Sequence, residues 1–148
     1  MELTYPTQLQ LSFIEAVKLL VVEDDADTLK MLTVYFSREG YSISQAQSGK
    51  EALAILEREK DFGLVLLDLF IPDIGGMEVL REINQQENPP SVILLTGLAD
   101  KEIAQDALRL GAFDCILKPY SLSQVESSVV ACLAHRDYLK QSWWKRIA

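Results

Sequence analysis

The sequence predicts a three-layer α/β sandwich, a parallel sheet covered by helices on both faces, and three observations carry the prediction. Short apolar runs, Gly63-Leu64-Val65-Leu66-Leu67 the clearest among them, alternate with longer segments of helical periodicity. The central run closes on an acid, Asp68, with turn residues Pro72-Asp73 and Gly75-Gly76 just beyond. The alternation continues along the chain without an internal repeat, a low-complexity stretch or a domain-sized linker. A continuous apolar run bounded by turn signals suits a strand buried on both faces, as in parallel sheets. Strands alternating with helices at this spacing mean parallel crossovers. The expectation is five strands and five helices.

Taken in order, Met1 to Ala16 carries mixed signals. Leu9, Leu11 and Phe13 alternate with polar residues, yet Thr7 to Ala16 could equally form a helical turn or two. The plain reading is an arm, residues 1–16, packed on its own domain. Val17 to Val22 is an apolar strand ending in Glu23-Asp24-Asp25. Asp25 or Asp27 can cap the helix that follows, whose apolar face is Leu29, Leu32, Val34, Tyr35 and Phe36 and whose stop is Gly40. Tyr41 to Ala46 is the second strand, and Ser48-Gly49-Lys50-Glu51 has capping-box spacing for a helix ending near Lys60. After the central strand, Gly76 opens a helix that ends before Pro89-Pro90. Val92 to Leu95 forms the fourth strand, closing on Thr96-Gly97, and Lys101 to Leu110 a helix stopped by Gly111. Phe113 to Leu117 is a short fifth strand running into Lys118-Pro119, and Ser121 opens the last helix with a second capping-box spacing to Gln124.

A chain of 148 residues, 49% apolar and 24% charged, fits one soluble globular domain. Its net charge of −8 argues against direct binding of nucleic acid or an anionic membrane by the main body. Cys115 and Cys132 are too few for a disulfide framework and are expected to be reduced, mostly buried thiols. No apolar run approaches the ~18 residues of a membrane span, and Glu2, Pro6 and Glu15 interrupt any signal-peptide pattern. A cytoplasmic protein is expected.

The chemistry lies at the strand ends: Glu23 and Asp24 after the first, Asp68 after the third, Thr96 after the fourth, Lys118 after the fifth. In a parallel sheet these ends share one edge, the edge where open α/β sheets bind ligands. Each residue alone has an ordinary explanation, the acids as caps or solvated charges, the threonine as a partner for backbone groups, Lys-Pro as a turn. Together they crowd like charges that cost stability unless a cation binds them. Oxygen ligands around an open position suit Mg²⁺, which keeps waters and takes a phosphate oxygen. Asp68 beside it could attack phosphorus, with the Thr96 hydroxyl and the Lys118 ammonium holding the transferring oxygens.

These segments, Leu19-Leu20-Val21-Val22-Glu23-Asp24-Asp25, Leu66-Leu67-Asp68-Leu69-Phe70-Ile71-Pro72-Asp73, Leu94-Leu95-Thr96-Gly97 and Leu117-Lys118-Pro119, resemble the receiver domains of two-component response regulators. The resemblance spans about 17–134. It implies a flavodoxin-like sheet of order 2-1-3-4-5 and a phosphoryl group taken onto Asp68 from a phosphohistidine on a sensor histidine kinase or histidine phosphotransfer protein. It also implies Mg²⁺ held by Glu23, Asp24, Asp68 and the Phe70 carbonyl, Thr96 and Lys118 on the phosphate, and commonly a cis Lys-Pro bond. Receivers usually carry Tyr or Phe three residues before the lysine, a ring that moves inward on activation; here that place is Cys115. Gly75 stands where an acid is common, a change expected to alter only a loop. In receivers the residues two after the acid and two after the threonine flank the water path to the acyl phosphate; here they are Phe70 and Leu98, both large and apolar, so the resemblance implies slow self-dephosphorylation.

Two other functions share part of this pattern. A haloacid-dehalogenase-like phosphatase also uses an aspartyl phosphate, but usually has a second Asp where Phe70 stands, and this chain lacks room for the usual cap. A pseudo-receiver scaffold is argued against by the intact Asp68, Thr96 and Lys118. The segment 135–148 runs past the body and is basic, Arg136, Lys140, Lys145 and Arg146 against Asp137, with Tyr138, Leu139, Trp143 and Trp144 as apolar surface. It reads as a helical linker or as an interaction helix for a second copy or partner, with nucleic-acid contact a distant third. His135 has no metal-ligand companions in sequence.

Overall fold

The computed structural model describes residues 16–97 and 101–147. The arm before Ala16 and Leu98 therefore lie outside the described residues. The elements are β1 (Lys18–Val22), α1 (Ala26–Arg38), β2 (Ser42–Ala46), α2 (Gly49–Arg58), β3 (Phe62–Asp68), α3 (Gly76–Asn84), β4 (Ser91–Thr96), α4 (Lys101–Arg109), β5 (Asp114–Leu117) and α5 (Leu122–Ile147). All strand pairings are parallel, in the order β2-β1-β3-β4-β5. This is the expected flavodoxin-like sandwich, and most element limits lie close to the sequence reading; the exception is the last helix, expected to cover the body as far as Ala134, which continues unbroken to Ile147.

Period-two alternation along the strands divides the core into two layers. Leu20, Val22, Val65, Leu67, Val92 and Leu94 face Ala52, Ile55 and Leu56 of α2, Val79, Leu80 and Ile83 of α3, and Ala107 of α4. Their neighbours Leu19, Val21, Leu64, Leu66, Ile93, Leu95 and Ile116 face Leu29, Leu32 and Phe36 of α1 and Val125, Val129 and Cys132 of α5. Because β1, β3 and β4 are covered on both sides, their sequences are unbroken apolar runs instead of alternating ones. Truncating one of these leucines to alanine would cost about 2–5 kcal/mol.

Local chemistry sets the helix ends. Asp25, and not Asp27, caps α1, its carboxylate accepting from the Thr28 amide at 2.9 Å and the Thr28 hydroxyl at 2.6 Å. The forward half of the α2 capping box forms, Ser48 Oγ accepting from Glu51 N, while Glu51 Oε2 reaches one residue before the cap to accept from Gln47 N, each at 3.1 Å. Ser121 Oγ accepts from Gln124 N at 3.1 Å and so opens α5. Gly40 and Gly111, at φ +99° and +101°, supply the left-handed turns after α1 and α4.

The last helix runs 26 residues, about 39 Å at 1.5 Å per residue. It takes in most of the basic segment in one unbroken element. Arg136, two residues into that segment, still touches the body: its guanidinium donates to the Pro89 carbonyl and to Ser91 Oγ, each at 3.0 Å. Higher up, Asp114 Oδ2 accepts from Ser128 Oγ at 2.7 Å, and the Tyr35 hydroxyl of α1 donates to Glu126.

Candidate functional site

The parallel register delivers the strand ends to one edge. Val22 pairs with Leu67, Asp68 with Leu95, and Thr96 with Leu117, so Glu23, Asp68, Thr96 and Lys118 follow one another across four neighbouring strands. Glu23, Asp68 and Thr96 are 3%, 4% and 1% exposed, while Asp24 is exposed at the rim. The acid run after β1 thus divides its work. Glu23 points inward, Asp24 stands at the mouth, and Asp25 caps α1.

The Asp68 carboxylate is held at both oxygens. Oδ1 accepts from the Phe70 amide at 3.0 Å, and Oδ2 faces Lys118 Nζ at 2.9 Å. Lys118 also reaches Glu23 Oε1 at 3.3 Å, so one ammonium serves two buried acids. Its strand is anchored next door, the Lys118 amide donating to the Thr96 carbonyl at 2.7 Å, and the Lys118-Pro119 bond is cis. Gly76 keeps the floor tight, since a Cβ there would lie 2.6 Å from the Asp68 carbonyl oxygen.

The charges are unbalanced. Burial, and then the hydrogen bond and charge of Asp68, push the Glu23 carboxyl up to about 8 despite Lys118. Burial alone would lower the Lys118 ammonium, but the bonds and charges of Asp68 and Glu23 outweigh it and hold it above the ordinary lysine value. Glu23, Asp24 and Asp68 each offer an oxygen, all within 4.8 Å of one another. Opposite ligands of octahedral Mg²⁺ stand about 4.2 Å apart, twice its short bond, so a small inward movement of these carboxylates would close them on the ion, and the all-oxygen donor set suits it.

Every described residue named from sequence for this site is at the sheet edge, with the Phe70 side chain 58% exposed beside it. Cys115 is half-buried against the layer under α2 to α4, its thiol pushed up by burial and then by Asp114. Gly75 is the N-cap residue of α3 and gives it no side-chain cap bond. Sequence reasoning missed Asp73, which turns out to bond the far helix α2, Lys50 N to Asp73 Oδ1 at 2.9 Å. The only signal was its place in the turn after Pro72.

A fold with a parallel five-stranded sheet and an acid pocket at its carboxyl edge defines a class, and comparison with known proteins gives the family. The model for the response regulator receiver domain matches residues 19–130, and the chain belongs to that family. It is 37% identical to transcriptional regulatory protein ResD of Bacillus subtilis (strain 168) over 116 residues, 78% of this chain and 48% of that protein. It is also 37% identical to the probable transcriptional regulator ycf27 of Porphyridium aerugineum over 120 residues, 81% of this chain and 49% of that protein. The chain thus spans about half the length of these curated relatives. Among solved structures it is similar to the signal receiver domain of a putative Luxo repressor protein from Vibrio parahaemolyticus, at TM-score 0.80 and 31% identity over 86% of this chain and 97% of that one. A response regulator receiver domain protein from Clostridium thermocellum superposes at TM-score 0.78 and 27% identity, covering 83% of this chain and 98% of that one. Neither the phosphatase nor the scaffold alternative gains support from these comparisons.

Proposed function

We propose that this chain is the phosphoacceptor of a two-component phosphorelay and that Asp68 takes the phosphoryl group from a phosphohistidine on a sensor histidine kinase or histidine phosphotransfer protein. The observation that carries the reading is the Lys118 ammonium seated on Asp68 Oδ2 at 2.9 Å with Glu23 and Asp24 beside it. A carboxylate oxygen of Asp68 forms the new bond to phosphorus. The bond from phosphorus to the donor imidazole nitrogen breaks, and its electron pair leaves on that nitrogen. Lys118 and the Thr96 hydroxyl then hold phosphoryl oxygens, which is positioning and electrostatics more than covalent chemistry. Glu23, Asp24, Asp68 and the Phe70 carbonyl would hold Mg²⁺. When bound, the ion supplies the positive charge that offsets the acids and the phosphoryl oxygens.

The protein is then a switch and not a turnover enzyme. Phe70 offers no polar group to orient a hydrolytic water, and Leu98, also apolar, is the second residue assigned to that path; self-dephosphorylation is slow. The chain divides into an arm at 1–16, a receiver body at 17–134 and a helical extension at 135–148, and it works in the cytoplasm. The last helix and its basic tail offer a surface for a second copy. A net charge of −8 keeps the body itself off nucleic acid and anionic membranes. Intact-mass measurement after treatment with acetyl phosphate and Mg²⁺ tests the central claim. One phosphoryl mass should appear on the wild type and none on Asp68→Asn. A labile phosphate on an aspartate of Asp68→Asn would move the acceptor elsewhere.

A further inference from the structure

The segment between β3 and α3 carries Phe70, and its middle is attached to a different element from its ends. At one end the Phe70 amide bonds Asp68 Oδ1 at 3.0 Å, and at the other the Gly76 amide bonds the Leu69 carbonyl at 3.0 Å. Between them the segment caps α2. The Gly49 amide donates to the Pro72 carbonyl at 3.3 Å, and the Lys50 amide to Asp73 Oδ1 at 2.9 Å. The Glu51 amide goes to Ser48 Oγ at 3.1 Å, and the first intrahelical bond follows, Ala52 N to Ser48 O at 3.0 Å. Of the four amides without an intrahelical partner at the start of α2, counting that of its cap Ser48, two are therefore met by this segment.

The seating is tight. A Cβ on Gly49 would lie 2.1 Å from the Ile74 carbonyl oxygen, so the segment rests directly on the helix end. Asp73 adopts φ +62°, a left-handed conformation that Asp tolerates better than most residues, and its Oδ1 also accepts from the Ile74 amide at 2.6 Å. Partial loss of solvent around this exposed carboxylate would raise it, but the Lys50 and Ile74 amides and the Ser48 hydroxyl outweigh that and hold it below the ordinary range. On the other side α2 is fixed by Ala52, Ile55 and Leu56 in the core.

We infer that Asp73 is a positioning residue for the metal site: by tying the β3–α3 segment to the start of α2, it fixes where the Phe70 carbonyl stands relative to Glu23, Asp24 and Asp68. The inference rests on the metal reading proposed above. An ordinary helix cap would affect only stability, and the two roles separate by ion. Mg²⁺ demands a near-ideal octahedron with bonds of about 2.0–2.1 Å, whereas Ca²⁺ accepts looser ligands at about 2.3–2.6 Å. A displaced carbonyl penalises Mg²⁺ more than Ca²⁺, while general loosening of the fold leaves their ratio unchanged.

The test is calorimetric titration of the metal-free full chain with each ion. Asp73→Gly keeps the left-handed backbone accessible and removes only the acceptor, so the fold should survive. Its Mg²⁺ affinity should fall about tenfold, the usual scale for losing an outer-sphere support, with Ca²⁺ affinity falling much less. Asp73→Asn, which keeps an acceptor oxygen, should restore the wild-type ratio. An Asp73→Gly variant with the wild-type ratio of Mg²⁺ to Ca²⁺ affinity overturns the inference alone. A wild type that binds no Mg²⁺, or binds it undiminished in Asp24→Ala, overturns the metal reading and the inference with it.

Discussion

Among single residues, Glu23 carries the largest electrostatic anomaly. Its carboxyl stands at about 8 in the fold against an ordinary 4.5, so between those values the native chain keeps a proton that the unfolded chain has released. Stability then falls as pH rises, because the native state binds the more protons. Glu23's contribution is complete below about 4.5 and is gone once pH has passed about 8. In chelator, to keep the site free of metal, thermal melts of the wild type should decline from pH 5 to pH 8.5 relative to Glu23→Gln. The difference should be on the order of 2 kcal/mol, or several degrees in Tm. Parallel melting curves for the two proteins would mean that Glu23 is ionised in the fold and that Lys118 satisfies it.

At the scale of elements, α5 is fastened to the sheet by more than its apolar stripe. Cutting the chain after Ala134 removes Arg136 and with it the bonds to Pro89 and Ser91, whereas cutting after Leu139 spares them. The shorter product should lose about 1–3 kcal/mol in urea denaturation relative to the longer one, and equal midpoints would assign no stabilising role to that contact. Strands and helices were legible in the sequence for a physical reason. Strands buried on both faces must be unbroken apolar runs, and the Asp25, Ser48 and Ser121 caps are local signals within three residues of their targets. The pocket residues were legible because a parallel sheet carries its strand ends to one edge. Asp73 and Arg136 were not, because their partners lie 23 and 47 residues away and neither bond leaves a periodicity. Nor could the sequence say which of Asp25 and Asp27 would cap α1, a choice settled by the turn leaving β1.

For the whole molecule the distribution of charge matters most. The body carries the acid excess, while the end of the last helix carries four basic residues beyond Ala134 against Asp137. If that extension joins two copies, deletion beyond Leu139 should lower the sedimentation coefficient towards that of a monomer, and more so in low salt, where attraction between tail and body is least screened. Unaltered sedimentation would leave the extension a plain linker. The two thiols of the core have a use in this setting. Cys132 sits on the sheet-facing side of α5 and is fully buried, and Cys115 is half-buried in β5, where it pairs with Leu94. A maleimide can meet Cys132 only in the moments when α5 lifts from the sheet. Its labelling rate, compared with that of the more accessible Cys115, is therefore a native stopwatch for the breathing of the helix, readable in the unmodified chain without an introduced probe.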